Sequence, residues 1–512
     1  MPPNPETKID SSPETVRILD EIEKQFELDD TKLHAILDRF IEEFDYGLSN
    51  YGHPMAMIPT FVTGVPTGEE VGTFLALDLG GTNLRVCEVK LESKHKFTLR
   101  QQKYQVSDSL KTGDAKILFD FLADSVSAFL TSIDSQIEGG DYLPLGFTFS
   151  FPVEQTALDQ GTLLTWTKGF SATGAQGKDV VRMLQDAFDR KRLHVKCVAL
   201  VNDTVGTLLS RSYLVGGCLV GCIYGTGTNA AYLDEVSAFR KLPVDARAEG
   251  GKMVVNTEWG AFDNARNVLP FTEYDNKLDR ESINPRKQAF EKLISGMYQG
   301  EIIRNIIRMI YYFNLLIRPP NSSPGYSTPS LNAHYGFDTA LMSDIERDPD
   351  HSPEFFTRAR KVFTHGLGFA EDFEFSDTDF SIVRWACRIV ATRAAKLSGI
   401  GLAAIVKKTN APEKTNGDIH VGVDGSVAEH YPQFEERARV ALTTVLGKEV
   451  EQRIKIGLAK DGSGVGAALC ALQATKDKAS QPALTQSRPL QAPKVDGQDA
   501  PKPGERGLPA SN

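Results

Sequence analysis

The 512-residue chain reads as an α/β protein built from two lobes, and three observations lead to that reading. β-rich stretches and helical periodicity succeed one another along the chain, the arrangement of sheets covered by helices. Two strand–turn–strand units share one turn chemistry: Thr73–Asp78, Gly80-Gly81 and Leu84–Lys90, then Gly221–Gly225, Thr226-Gly-Thr-Asn229 and Ala230–Leu233. Their Thr-Asn pairs, at 82–83 and 228–229, stand 146 residues apart, a domain-sized offset that hints at related lobes. Composition permits such a fold. With 41% hydrophobic and 24% charged residues, the chain can bury a large core without disulfide or metal staples.

The elements follow in order. Residues 1–13 are polar and Pro-containing, an expected frayed lead. From Glu14 to Gly47, apolar residues recur at three and four: Val16, Leu19, Ile22, Phe26, then Leu33, Ile36, Leu37, Phe40, Ile41, Phe44. That is the period of two amphipathic helices, with Asp29-Asp30-Thr31 supplying the break and an N-cap. A helix is expected over Ala115–Ile133 and strands over Pro144–Phe151 and Val195–Val201. Beyond Phe290 the pattern is mainly helical, Glu291–Leu316 and Phe380–Val406, with a loop at Arg318-Pro-Pro-Asn-Ser-Ser-Pro-Gly325. From Ser480 onward there are six prolines and no aromatic residue, so nothing offsets the entropy of ordering, and 476–512 is expected to be a disordered tail.

Charge and cysteine usage narrow the partners. The net charge is −10 with no basic stripe, which argues against nucleic acid or an anionic membrane surface. The most apolar run, Ile302–Ile317, is broken by Arg304, Asn305 and Arg308 and falls short of the ~18 residues of a membrane span. The N-terminus lacks signal- and transit-peptide features, so a soluble, cytoplasmic protein is expected. The oligomeric state stays open. Of the six cysteines only Cys218 and Cys222 lie close together, with no His nearby; buried strand thiols fit better than a zinc site, and no metal ligands are assigned.

Several segments could carry chemistry. In Asp78-Leu-Gly-Gly-Thr-Asn-Leu-Arg85, Gly80 and Gly81 let backbone N–H groups approach a phosphate, Thr82 and Asn83 add donors, and Asp78 could hold a hydrated Mg²⁺. No Walker loop occurs, and an ordinary hairpin is the alternative. Gly225-Thr-Gly-Thr-Asn229 has the same inventory, so a phosphate between the two turns would meet donors from both lobes. Gly146-Phe-Thr-Phe-Ser150-Phe-Pro152 and Trp166-Thr167-Lys168-Gly-Phe170 combine aromatic walls with placed polar groups, as a polyhydroxylated ligand requires; alone, Lys168 reads as a loop cation. Val201-Asn202-Asp203-Thr204 sets a carboxylate at a strand end, where it could take a proton from a hydroxyl or simply cap a helix. Glu258 and Glu291 sit among apolar residues and need hydrogen-bond partners, although Glu291 alone reads as an exposed helix residue. Asp461-Gly-Ser-Gly-Val-Gly466 formally fits Gly-x-Gly-x-x-Ala, but no βαβ unit can follow it.

Together these segments, in this order over about residues 14–475, closely resemble the eukaryotic hexokinase/glucokinase family, a branch of the actin-like ATPase superfamily. The resemblance implies a two-lobe, ribonuclease H-like fold with the ligand cleft between lobes. The small lobe would span 63–203, completed by 461–475, and the large lobe 204–460, with the helices of 14–62 packed on it. It implies ATP with Mg²⁺, a hexose phosphorylated at its 6-hydroxyl, and Asp203 as catalytic base with Lys168 beside it. Ser150, Thr167, Lys168, Asn202, Asn229, Glu258 and Glu291 would line the sugar site. Asp78, Gly80, Gly81, Thr82, Asn83, Arg85 and Thr226 would surround the phosphates; Gly425, Ser426 and Ser463 would lie near adenosine. Phe151 and Trp259 resemble the glucokinase side and Ala230 the broader hexokinases, which leans toward a single-unit, fungal-type, glucose-preferring enzyme. The apolar N-terminal segment of mitochondria-bound relatives is lacking. A catalytically inactive sugar sensor on the same fold is the alternative, against which the intact Asp203 and both turns speak.

Overall fold

The computed structural model describes residues 9, 12–81, 83–133, 142–248, 250–312, 327–459 and 461–480. Thr82, the loop expected at 318–325 and the chain beyond 480 lie outside these residues. The strands are β1 (Ile58–Pro59), β2 (Val71–Leu79), β3 (Asn83–Glu92), β4 (Phe97–Gln105), β5 (Leu143–Phe149), β6 (Val153–Ala157), β7 (Gln160–Leu163), β8 (Val195–Val201), β9 (Val220–Tyr224), β10 (Thr228–Glu235), β11 (Lys252–Asn256), β12 (Ile419–Asp424) and β13 (Ile454–Leu458).

The strands fall into two main sheets of common plan. One runs β4-β3-β2-β5-β8 and the other β1-β11-β10-β9-β12-β13, with β6 and β7 forming a separate hairpin. In each, a three-stranded antiparallel meander is extended beyond its first strand by two further strands, each parallel to its neighbour. Setting β4-β3-β2-β5-β8 upon β11-β10-β9-β12-β13 matches order and direction throughout. The internal repeat, visible in the sequence only as two turns, is therefore a whole five-stranded unit.

Two helices fill the space between the sheets. Asp203–Val215 packs on β9, β10 and β12, and Gly462–Ser480 on β2, β5 and β8. They cross at Gly206 and Gly466, where a Cβ on Gly466 would collide with the Gly206 backbone, and a Cβ on Gly146 would collide with that of Ala467. Gly462 and Gly466 thus have a packing reason, close approach to the backbone of the facing helix, rather than a dinucleotide one, and Gly464 lies against the Cys87 side chain. Val205, Leu208, Val465, Ala467 and Ala468 build a shared apolar layer there with Ala76, Val198 and Val254.

The helices Pro13–Phe26 and Asp30–Ser49 join the core of the larger sheet. Asp29 caps the second by accepting from the Lys32 N–H at 2.8 Å, and Phe40 stacks on Phe262 at 3.5 Å between ring centroids. The helix Asp377–Lys408 is long and apolar enough to cross a membrane, but 89% of its apolar window is buried in this core. All six cysteines are buried and joined by no disulfide, and burial pushes the thiols of Cys87, Cys218 and Cys222 up to about 12.

Several expected boundaries move. Helix starts at Pro13 because Ser12 caps it and Pro is tolerated in a first turn. The strand expected over 144–151 ends at Phe149. The helix expected over 291–316 is two, Ala289–Ile294 and Gly296–Tyr312, broken where Ser295 turns extended; residues 313–316 lie outside the described ones. The last helix continues to Ser480, so the expected tail begins at least five residues too early.

Candidate active site

The two turns meet the ends of the parallel strands. In the first, Asp78 and Arg85 pair across β2 and β3, and the Gly80 N–H closes the turn on the Asn83 carbonyl at 3.0 Å. Asp78 is buried: its Oδ2 takes the Arg85 guanidinium at 2.7 Å and the Ser463 hydroxyl at 2.7 Å. Ser463 is thereby held beside the first turn, with its own carbonyl accepting from Thr148 at 2.9 Å.

In the second turn, the Gly225 N–H donates to the Gly227 carbonyl at 3.0 Å. Three other segments lock it. The Gly296 N–H reaches the Gly225 carbonyl at 2.8 Å and the Met297 N–H the Thr226 carbonyl at 3.2 Å. The Thr228 N–H donates to Glu291 Oε2 at 2.9 Å, while the Trp259 indole N–H donates to Thr228 Oγ1 at 3.0 Å. Gly425 comes within van der Waals reach of Gly225, at φ 106°, a conformation that favours glycine, and Ser426 opens the short helix after it.

Between the turns lies a polar recess. Asn202, the last residue before the helix Asp203–Val215, is its cap: Oδ1 accepts from the Thr204 N–H at 3.0 Å and hydroxyl at 2.7 Å. Asp203 is the first helical residue and accepts from the Thr204 N–H through Oδ1 at 2.9 Å, so the capping alternative belongs to its neighbour. Asn229 donates to Asn256 at 2.7 Å, to Glu258 at 3.3 Å and to Asn202 at 3.4 Å, linking the two sheets. Asn256 in turn donates to Glu258 Oε1 at 2.9 Å. Glu258 stands in the left-handed region at φ 55°. Burial pushes its carboxyl up, opposed by the Asn256 bond and by Lys168, and reinforced by Asp203. Burial pushes Glu291 up to about 7, opposed by the Thr228 N–H and Lys168. Glu291 is thus no plain exposed helix residue.

The wall is aromatic. Phe149, Phe151, Trp166 and Phe170 pack in one group, with Phe151 edge-on to Trp166 at 4.9 Å and Trp166 stacked on Phe170 at 5.4 Å. Buried Ser150 and half-buried Thr167 border it. Lys168, also left-handed at φ 53°, sets its Nζ over the Phe151 ring at 5.7 Å and its stem 3.4 Å from where a Gly81 Cβ would lie.

Sequence reasoning passed over Asn256, Gly296 and Asp424. The carboxyl of Asp424 is pushed up by burial and by Asp203 and Asp78, against the pull of Arg85, so three carboxylates and one guanidinium share a neighbourhood. Its position at the end of β12, next to Gly425, was the available signal. Trp259 is fully buried behind the recess. Thr228→Val would leave its indole N–H buried and unpaired, so we expect a loss of about 1–3 kcal/mol in denaturant melts, restored by Thr228→Ser. A Thr228→Val protein as stable as wild type would contradict that bond.

Two matched lobes, facing phosphate-type turns and a carboxylate-lined recess define a two-lobed kinase architecture of the actin-like kind. Hexokinase domain patterns match residues 18–213 and 219–473. The chain is 38% identical to Hexokinase-1 of Schizosaccharomyces pombe, over 90% of this chain and 91% of that protein. It is 40% identical to the glucokinase of Aspergillus niger, over 90% and 98% respectively. The structure of Schistosoma mansoni hexokinase complexed with glucose is similar at TM-score 0.79 and 37% identity, covering 90% of this chain and 99% of that one. The chain belongs to the hexokinase family.

Proposed function

We propose that this protein transfers the γ-phosphoryl group of ATP to the 6-hydroxyl of a hexose, with glucose preferred. The observation that carries the reading is the recess itself: Asp203, Asn202, Asn229, Glu258, Glu291 and Lys168 converge between two phosphate-type turns. A sugar's hydroxyls would satisfy the buried carboxylates, and Phe151 and Trp166 would border its apolar edge.

Asp203 Oδ1 is engaged by the Thr204 N–H, while no donor among the described residues bonds Oδ2, which can accept the substrate hydroxyl. The proton passes to Asp203 as the hydroxyl oxygen bonds to the γ-phosphorus, and the bond to the β-bridging oxygen breaks to release ADP. Lys168 spans the sugar carboxylates and Gly81, supplying positive charge between acceptor and donor. Arg85 lies on the phosphate side, oriented by Asp78. Phosphoryl transfer depends chiefly on positioning and charge stabilisation, which such an arrangement supplies.

The donor set also suits Mg²⁺. Asp78, Asp203 and Asp424 interact electrostatically, and Mg²⁺ favours one or two carboxylates together with substrate phosphates. Asp78 would hold it through water, leaving Asp203 free for the substrate hydroxyl. Bound with ATP, it neutralises charge on the β- and γ-phosphates.

Glucose preference rests on the resemblance at Phe151 and Trp259, both buried and packed. With Mg-ATP and a panel of sugars, glucose should give the highest kcat/KM, mannose should be accepted and fructose should be poor. A fructose kcat/KM equal to or above that of glucose would overturn the preference while leaving the hexose kinase reading intact.

A further inference from the structure

Arg211 has no role in the reaction described above, yet it is an anomalous cation. It sits two turns along the helix Asp203–Val215, roughly 12 Å from Asp203 at 1.5 Å per residue. No hydrogen bond or ion pair engages its guanidinium among the described residues, and its Nε is buried without a partner. Its surroundings are shaped to it. The guanidinium lies over Gly457 of β13, where a Cβ would collide with Nη2 and Cζ, and the stem lies over Gly422 of β12, where a Cβ would come within 2.8 Å of the Arg211 Cβ.

Those two glycines are register partners, as are His420 and Lys455 two residues earlier. Residues two apart share a sheet face, so His420, Gly422, Lys455 and Gly457 line the face that Arg211 covers. His420 Nδ1 is likewise buried without a partner. Its imidazole is held below the usual range by burial, by Arg211 and by Lys455, with Asp418 opposing. Asp418 is already drawn to Lys455 at 3.8 Å. Arg211, Lys455 and His420 therefore lie together beside Asp418, which Lys455 already engages, while Asp424 lies two residues beyond Gly422 along β12, toward the cleft. This group of cations sits at the edge of the larger sheet, where β13 is the last strand and Lys455 is half-exposed.

We propose that this cluster binds a small oxyanion of the phosphate class, through the Arg211 guanidinium and the Lys455 ammonium with His420 beside them. The planar fork of a guanidinium matches a tetrahedral oxyanion in two-point contact, and glycine on both strands seats the Arg211 side chain flat on the sheet beside Lys455. Free phosphate and a phosphate monoester present the same group. The site is separate from the catalytic cleft, although β13 leads directly to the helix whose Ser463 holds Asp78.

The test uses the full chain with saturating glucose and a non-hydrolysable ATP analogue, so the cleft is filled. Inorganic phosphate, and in a second arm glycerol 3-phosphate, is titrated against sodium chloride of equal ionic strength. At ten times Kd, either anion should raise Tm by about 1–2 °C beyond chloride, and the arm giving the lower Kd identifies free phosphate or ester as the source. Arg211→Met should abolish the rise, Arg211→Lys should keep part of it, and Lys455→Gln should weaken binding at least ~3-fold. Should Arg211→Met fail to fold, Lys455→Gln and Arg211→Lys carry the comparison. Chloride reproducing the rise, or variants responding like wild type, would overturn the site. Glucose-dependent ADP release, measured separately, should stay within about twofold in Arg211→Met; its collapse would put Arg211 in the catalytic cleft and overturn a separate site.

Discussion

Asp203→Ala is expected to bind glucose with nearly unchanged affinity and to phosphorylate it at least ~10²-fold more slowly. Removing a general base accounts for ~10²–10⁴ in rate, and losing the group that orients the attacking hydroxyl adds to that. Binding should persist because Asn202, Asn229, Asn256 and Glu258 form a hydrogen-bonded network that does not pass through Asp203, and Glu291 is held separately by the Thr228 N–H. Stability should persist as well. Asn202 caps the helix, so the Asp203 side chain contributes only as a first-turn acid, about 0.3–1 kcal/mol. Asn202→Ala is the contrasting variant: it removes the cap and should cost about 0.5–2 kcal/mol. Folded Asp203→Ala protein that keeps more than about a tenth of the wild-type kcat would rule out Asp203 as the base.

Glu291→Ala should act at the opposite point, raising the Kd for glucose roughly 10²-fold, because one hydrogen bond to a charged group is worth about 1.5–3 kcal/mol and a carboxylate can accept two. It also removes the acceptor of the Thr228 N–H and so loosens the second turn. The same carboxyl carries a pH signature. Its folded value is pushed up to about 7 by burial, above the usual 4.5 of the unfolded chain. The folded state therefore binds the extra proton between those values, and the sugar-free protein should lose stability as pH rises from 5 to 7. Glu291→Gln, neutral throughout, should lack that component of the slope. Equal slopes for wild type and Glu291→Gln in denaturant melts at pH 5, 6 and 7 would remove Glu291 as its source.

What could be read from the chain and what could not divide along contact range. Helix periodicity and the cap at Asp29 are local, and they place the first two helices within a residue or two of their observed ends. The turn segments 78–85 and 225–229 are local too, since glycines and short polar side chains declare their conformational needs directly. The partners of those turns are not. Nothing near Thr228 announces that Trp259 and Glu291 will reach it, and nothing near Asp78 announces Ser463, 385 residues away. The glycines after Asp461 resembled a nucleotide fingerprint because close approach to a phosphate and close approach to another helix demand the same missing side chain. The break at Ser295 was hidden because apolar residues continue across it, and only the pull of the Gly225 carbonyl on the Gly296 N–H marks the new helix.

The most direct test of the hexose kinase reading is ADP release from Mg-ATP, followed in a coupled assay with and without glucose on one folded sample whose glucose binding has been measured. Sugar-dependent ADP release in the usual range of about 1–10³ s⁻¹, with an equivalent amount of hexose phosphate formed, is the result this account predicts. Glucose binding without ADP release would make the protein a sensor, and ADP release at the same rate without sugar would make it a plain ATPase; either result would contradict it.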